Sequence, residues 1–377
     1  MRFEGLRLSR SIVGEAEAAA VSRVLLEDGY LGMGSEVQRF EEELARYLDV
    51  EPWQVITANS GTAALHLAVD AVCPRGTEVL VPSLTFVASF QAIMAAGCTP
   101  VACEVNPASC TIDLKDAAQR LTQRTSAIMP VHYASNPWQL EAVYDFAATH
   151  HLRVIEDAAH AFGCTCKGKK IGSFGDVACF SFDGIKNITC GEGGCVIAHD
   201  REAARLCSDA RLLAVQNDAD KRFKGTRSWD FDVTRQGWRY HMSNIMAAVG
   251  RVQLGRLDGE FAPARRALAA RYQARLAGER GLALLTQDAD CMIIPHIFCV
   301  RVLDGRLEAV RAALAAAGVP TGTHYKPNHL LSLFGRGQPP LPVTEALYRE
   351  LLTLPLHPGL TPAQVDGICE ELLKAVA

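Results

Sequence analysis

A chain of 377 residues is longer than one ordinary domain, so two are expected. Its 49% apolar and 21% charged residues describe a folded, soluble protein and exclude a disordered one. The net charge of -4 without a Lys/Arg block excludes a basic field for nucleic acid. No stretch is long and apolar enough to span a membrane, and the first twenty residues lack the apolar run of a secretory signal, so a cytoplasmic location is expected. The 13 cysteines are odd in number and irregular in spacing, and Cys103, Cys179 and Cys195 lie in apolar runs. Cys164 and Cys166 are the closest pair and have no CxxC or histidine partner pattern. Buried free thiols and no metal site are the expectation.

In chain order, "GEAEAAAVSRVLLEDG" reads as a helix ending at Gly29. "SEVQRFEEELARYLDV" reads as a second, with Val37, Phe40, Leu44 and Leu48 on one face. Between them "GYLGMG" imitates a dinucleotide loop, but it follows a helix and lacks the third glycine in register. Seven strands are predicted next: "QVITA", "EVLVPS", "TPVACEV", "SAIMPVH", "RVIEDA", "VACFSF" and "GCVIAH". Helical runs alternate with them, among them "GTAALHLAVDAV", "FVASFQAIMAAG", "LKDAAQRL" and "WQLEAVYDFAATH". This alternation predicts an α/β fold with a mostly parallel sheet covered on both faces, and ligands beyond the carboxyl ends of its strands. After about Gly255 the texture changes to a long amphipathic helix, the strand "HIFCVRV", the helix "RLEAVRAALAAAG" and a closing helix. The expected division is a large domain over 1–255 and a smaller α+β domain over 256–377. The polar and aromatic stretch "NDADKRFKGTRSWDFDVTRQGWRY" is a long loop of the kind that has a function or a partner.

Four windows at strand ends carry chemistry. "ANSGTAALHLAV" brings Ser60, Gly61 and Thr62 to a helix start, either as an ordinary cap or as an anion site built from free N–H groups and hydroxyls. "VIEDAAHAFG" ends a buried strand in Glu156 and Asp157, and two carboxylates there need partners. Asp157 is a helix cap or the partner of a buried cation, and His160 is a core histidine or its neighbour. "PSLTFVASF" places Phe86 as core or as a flat face for a ring. "CFSFDGIKNITCGEGGCVIA" holds Lys186 after Asp183-Gly184, either on the wet face of a β-hairpin or at a strand end facing a ligand. Taken together, an anion cradle, an acid, an aromatic face and a lysine match the needs of pyridoxal phosphate: a phosphate to anchor, a pyridine nitrogen to pair, a ring to pack and a carbonyl to bind.

The set "SGTAALHLA", "PSLTFVAS", "VIEDAAHAFG", "FSFDGIKNITCGEGG" and "HYKPNH" resembles the DegT-type sugar-nucleotide aminotransferases, fold-type I pyridoxal phosphate enzymes, over most of the chain. The resemblance implies that Lys186 carries the cofactor as a Schiff base and moves protons in both half-reactions. It implies that Asp157 pairs with the pyridine nitrogen, His160 sits beside the ring hydroxyl, Phe86 stacks on the ring, and Gly61, Thr62 and Ser181, with Ser60, hold the phosphate. It further implies a homodimer with shared active sites. In these, the neighbour's "GYNYRMSEIQAA" segment contributes an asparagine. Here the segment reads "GWRYHMSNIMAA", with Arg239 in that place, where a guanidinium suits a phosphate or a nucleotide diphosphate, or else forms a surface ion pair. A second departure is "VHYASNP" for the more usual "VHLYGQP". "THYKPNH" brings His324, Tyr325, Lys326 and His329 toward the sugar nucleotide, or forms a polar surface loop.

The function implied is transfer of an amino group from an amino acid, glutamate foremost, through pyridoxamine phosphate to a nucleotide-linked keto sugar. A 4-keto-6-deoxyhexose is the favoured substrate and a 3-keto sugar the next. One rival is a sugar dehydratase of the same fold, in which histidine replaces the lysine; Lys186 speaks against it. The other is a non-catalytic regulatory homologue, and the retained lysine, acid and cradle speak against that.

Overall fold

In the computed structural model, which describes residues 3–215, 223 and 231–377, all seven predicted strands form. They are β1 (Val55–Ala58), β2 (Glu78–Pro82), β3 (Thr99–Cys103), β4 (Thr125–Ile128), β5 (Arg153–Asp157), β8 (Val177–Ser181) and β9 (Gly194–Ala198). The short strands β6 (Thr165–Cys166) and β7 (Lys169–Lys170) intervene in the chain. The large sheet has the order β1-β9-β8-β5-β4-β2-β3. Pairs β2–β3, β2–β4, β4–β5 and β5–β8 are parallel, whereas β9 is antiparallel to both β1 and β8. β1 and β8 therefore point the same way and β9 alone is reversed. As a result the carboxyl ends of β1, β2, β5 and β8 open on one edge of the sheet.

The strands are buried on both faces, and for this reason they read as short continuous apolar runs. Along β8 the alternation sends Val177 and Cys179 into the core under the helices Gly61–Val72 and Val87–Ala95, and Phe180 into the opposite core with Phe40, Leu44 and Phe162. The helix Ser35–Leu48 buries Val37, Phe40, Leu44 and Leu48 completely, the face its spacing predicts. The first helix, Glu15–Arg23, runs into a π-helical turn, Val24–Asp28, and stops at Gly29, whose φ of 64° is the left-handed conformation glycine accepts.

A second core lies around the antiparallel sheet β10-β12-β13, made of β10 (Leu282–Leu284), β12 (Phe298–Val302) and β13 (Leu351–Leu354). The helices Ala262–Leu276 and Pro362–Val376 cover it, and Tyr272, Val300, Leu354, Ile368 and Leu372 fill it. Phe3 belongs to the same core, so the start of the described chain packs into the second core. Near the expected division at 255, the helix Asn244–Arg256 continues through a π-helical turn, Leu257–Phe261, into Ala262–Leu276, and the chain passes between the two cores without a loop. A third sheet, β11-β6-β7, joins the strand β11 (Cys291–Met292) to the hairpin after the fifth strand.

Much of the long polar loop predicted over 217–240 lies outside the described residues; its last part bridges back through Arg239 to Leu212. None of the 13 cysteines is in a disulfide, and all but Cys291 are buried. Among the described residues no helix is long and apolar enough to cross a membrane.

Candidate active site

A cavity of about 420 Å³ opens at the shared carboxyl edge of β1, β2, β5 and β8. Ser60, Gly61, Thr62, Phe86, Asp157, His160, Ser181, Lys186, His324 and Tyr325 all line it.

The first wall is the start of the helix Gly61–Val72. Ser60 is its N-cap, and its Oγ accepts from the Ala63 N–H at 3.1 Å. The cap does not exclude an anion site, because the remaining first-turn N–H groups of a helix have no partner within it. Gly61 is required by closeness: a Cβ there would lie 2.7 Å from the Cβ and 2.9 Å from the Oγ of Ser181. Gly194 is held by the same packing, with backbone oxygens of Phe180 and Ser60 at 2.6 and 2.7 Å from where its Cβ would be. Two glycines thus bring the end of β8 against the helix start and leave Ser181 beside the cradle.

The second wall is β5. Alternation separates its two carboxylates. Glu156 turns away from the cavity to His132 Nε2 (2.6 Å) and accepts from the Tyr144 hydroxyl (2.5 Å). Asp157 faces the cavity edge, where its Oδ2 accepts from Ser89 Oγ (2.7 Å) and its Oδ1 from the Ala159 N–H (3.2 Å). Ser89 is in turn bonded to Thr85 Oγ1 (2.9 Å). Phe86 keeps 54% of its surface exposed although it is a phenylalanine beside a core, and its ring centroid is 5.5 Å from that of Tyr325. An apolar face left open toward a cavity is a place for a flat ligand.

The third wall holds the histidines. His160 Nε2 lies 3.0 Å from the Tyr325 hydroxyl, and its ring centroid 4.5 Å from that of His296. His160 Nδ1 has no protein partner. His324 Nδ1 is 2.8 Å from Thr353 Oγ1. Burial, and then the positive charge of Lys186, hold His160 and His296 well below the ordinary histidine range and bring His324 down to about 4. All three are neutral at pH 7.

Lys186 enters from the segment 182–193. Its flanking strands β8 and β9 pair antiparallel from Val177↔Ala198 to Ser181↔Gly194, so the hairpin topology is real, but the connection is a long loop and not a two-residue turn at Asp183-Gly184. Among the described residues Lys186 makes no ion pair. Burial pushes its ammonium down to about 8, against the opposing pull of Asp157 and Asp183 and with a further lowering by Arg265. Roughly a tenth of the amine is therefore neutral, and nucleophilic, at pH 7, far more than of an ordinary lysine.

Three predicted site residues do not line the cavity. Lys326 is exposed. His329 is buried and turned to Ser83 Oγ (2.7 Å) and Glu345 (3.4 Å), where it ties the loop down. Arg239 is exposed outside its own chain's cavity, although the next residue, Tyr240, accepts from the Asn59 N–H at 2.6 Å, beside the cradle. Conversely, Ser89, His296, Asp183 and Glu192 belong to the site without having been singled out. Ser89 follows Phe86 by one helical turn, and His296 opens a predicted strand, a weak signal in both cases.

The same fold occurs in aminotransferases. The structure of TlmJ from Streptoalloteichus hindustanus superposes with a TM-score of 0.90 at 32% identity, covering 98% of each chain. The structure of Spr1654 from Streptococcus pneumoniae in its PMP form superposes with a TM-score of 0.91 at 28% identity and 99% coverage of each, and the same protein is also known in a PLP form. Sheet order, the lysine-bearing cavity and these superpositions define an aminotransferase fold. Residues 11–373 match the DegT/DnrJ/EryC1/StrS aminotransferase family, and the chain belongs to it. It is also 35% identical over 378 residues, 98% of this chain and 97% of the relative, to a dTDP-4-dehydro-2,3,6-trideoxy-D-glucose 4-aminotransferase from Saccharopolyspora spinosa.

Proposed function

We propose that this family member binds pyridoxal phosphate in the cavity and transfers an amino group from an amino acid, L-glutamate foremost, to a nucleotide-linked keto sugar, with a 4-keto-6-deoxyhexose as the substrate. The observation that carries the reading is the convergence of a buried Lys186 without an ion-pair partner, its pKa lowered to about 8, with Asp157, Phe86 and the Ser60–Thr62 helix start on one cavity. The donor set fits the cofactor. The first-turn N–H groups of Gly61 and Thr62, with Ser60 and Ser181, would take the phosphate; the open face of Phe86 would take the ring; Asp157 would face the pyridine nitrogen. The orphaned imidazole nitrogen of His160 supplies a further polar contact beside the ring.

When bound, pyridoxal phosphate supplies the electron sink that lets an amino acid lose its α-hydrogen as a proton. The chain's part is to bind, orient and move protons. Lys186 is the amine that holds the cofactor between turnovers and carries a proton once it is displaced. Asp157, fixed by Ser89 and Ala159, is the carboxyl that would pair with the ring nitrogen. His324 and Tyr325 line the cavity and are assigned here to the sugar, and His324, held neutral, can accept a hydrogen bond from a sugar hydroxyl. Arg239 of a second copy is assigned to the phosphate or the nucleotide diphosphate, in a homodimer that completes each site.

The 4-keto assignment is supported by the 35% identical relative, whose substrate is a 4-dehydro sugar. The test is a product assay on a panel of nucleotide 3-keto and 4-keto sugars, with the amine position fixed by magnetic resonance. An amino sugar at C4 is expected. Loss of water without amine transfer would replace the transaminase reading with a dehydratase. In parallel, Lys186→Ala is expected to abolish the glutamate-responsive visible band of the added cofactor, and a variant that kept that response would remove Lys186 from its role.

A further inference from the structure

Arg265, on the helix Ala262–Leu276, is 2% exposed and ranks among the largest buried side chains of the molecule. Among the described residues no carboxylate pairs with it. Its Nη1 donates to the carbonyl oxygens of Pro295 (3.2 Å) and His296 (3.1 Å), and its Nη2 to those of Ile185 and Lys186 (3.4 Å each). A buried cation without a counter-ion is a costly core residue, and an apolar side chain of similar volume would pack the same helix with less penalty. Its four acceptors explain the choice. One pair belongs to the turn that carries the cavity's amine, the other to the segment that carries His296. The tie continues beyond His296: its N–H donates to Ser135 Oγ (2.9 Å), and that hydroxyl donates to the carbonyl of His160 (2.5 Å). A planar fork with donors on two arms can span both segments, which a point-like ammonium cannot.

We propose that Arg265 is a positioning residue of the site, locking the Lys186 turn to the wall formed by His296 and His160; the proposal rests on Lys186 being the reactive amine. Arg265 lies outside the cavity and touches no reacting atom. It also acts through its charge. The titratable groups that line the cavity with Lys186 are the carboxyls of Asp157, Asp183 and Glu192, the last raised by burial and by Asp183, together with His160, His296, His324 and Tyr325, all neutral. Burial lowers the amine most, Asp157 and Asp183 pull it back up, and Arg265 is the cation that opposes them. Removing the guanidinium leaves the two carboxylates unopposed, so the amine keeps its proton to higher pH and less of it is nucleophilic at neutral pH.

The test uses holoenzyme stripped of pyridoxal phosphate and reconstituted with it, following the rate at which the visible band returns as a function of pH. In Arg265→Met the midpoint of that profile is expected to rise above that of the wild type. In Arg265→Lys, which keeps the charge but not the fork, the midpoint stays while kcat falls about tenfold with an unchanged KM for the sugar. A midpoint in Arg265→Met equal to that of the wild type overturns the proposal, whatever its thermal stability. Should Arg265→Met fail to fold, Arg265→Lys decides: wild-type kcat overturns the proposal, and a fall in kcat at constant KM supports it. A Lys186→Ala protein that still formed the band would instead remove the reading on which the proposal rests, a result that no Arg265 variant can imitate.

Discussion

At Gly61 a methyl group would stand 2.7 Å from Ser181 Cβ, well inside van der Waals contact, in a helix turn where the backbone itself accepts alanine. Gly61→Ala should therefore fold but push the end of β8 away from the helix start. Weaker retention of pyridoxal phosphate, by about tenfold on dialysis, is the expected outcome. An unchanged dissociation constant would mean that Ser181 and the helix start do not share a ligand. The residues that make this site legible in sequence are those whose chemistry is out of place where a strand ends: Lys186, Asp157, the small residues at 60–62. Others were hidden by their company. His296 stands alone among apolar neighbours, and Arg265 lies in a helix whose sequence, "APARRALAARYQARL", offers several arginines with nothing to distinguish the buried one.

At the scale of elements, the seven strands were readable because a sheet covered on both faces demands short apolar runs. The reversal of β9 was not, because "GCVIA" is apolar on both faces and side-chain period carries no direction. β13, the four residues "LLTL" after a short helix, was missed for a related reason: so short an apolar run fits a helix as well as a strand. Elements are also joined by charges that the period does not reveal. Arg211, at the end of the helix Arg201–Ala210, reaches Glu41 on the helix Ser35–Leu48, and its Nη1 donates to the Thr57 carbonyl of β1 at 2.8 Å. Glu41 accepts from the Thr57 N–H (2.9 Å) and hydroxyl (2.7 Å). Arg211→Met should leave that carboxylate buried without its cation and cost about 3 kcal/mol in urea unfolding. The double variant Arg211→Met, Glu41→Met should recover part of the loss. If the double variant proves less stable by the full sum of the two single changes, the pair is not coupled.

For the molecule as a whole, the three neutral histidines of the cavity set an acid limit. In the unfolded chain a histidine takes its proton near pH 6.5. Burial, reinforced by Lys186, delays protonation of His324 to about 4 and of His160 and His296 well below the ordinary value. Between these limits the unfolded chain binds more protons, so stability is fully present above about pH 6.5 and declines as the pH falls toward 4. The melting temperature at pH 5 should be lower than at pH 7.5 by roughly 5 °C, and replacing His296 with phenylalanine should shrink the difference. Equal slopes in the two proteins would assign the acid limit to other groups.

The thiols described with the fold have a practical consequence. Of the 13 cysteines only Cys291 is partly open to solvent, and the others are spread through both cores and the sheet between them. The native chain should therefore react with a coloured thiol reagent first at Cys291, slowed because burial and Cys166 beside it push that thiol up, and at the remainder only as fast as the packing opens. This gives the protein a built-in optical clock for its own breathing, requiring no introduced label. Under the proposed function, the addition of pyridoxal phosphate should slow that clock, and the amount of slowing measures how much of the molecule the cofactor holds shut.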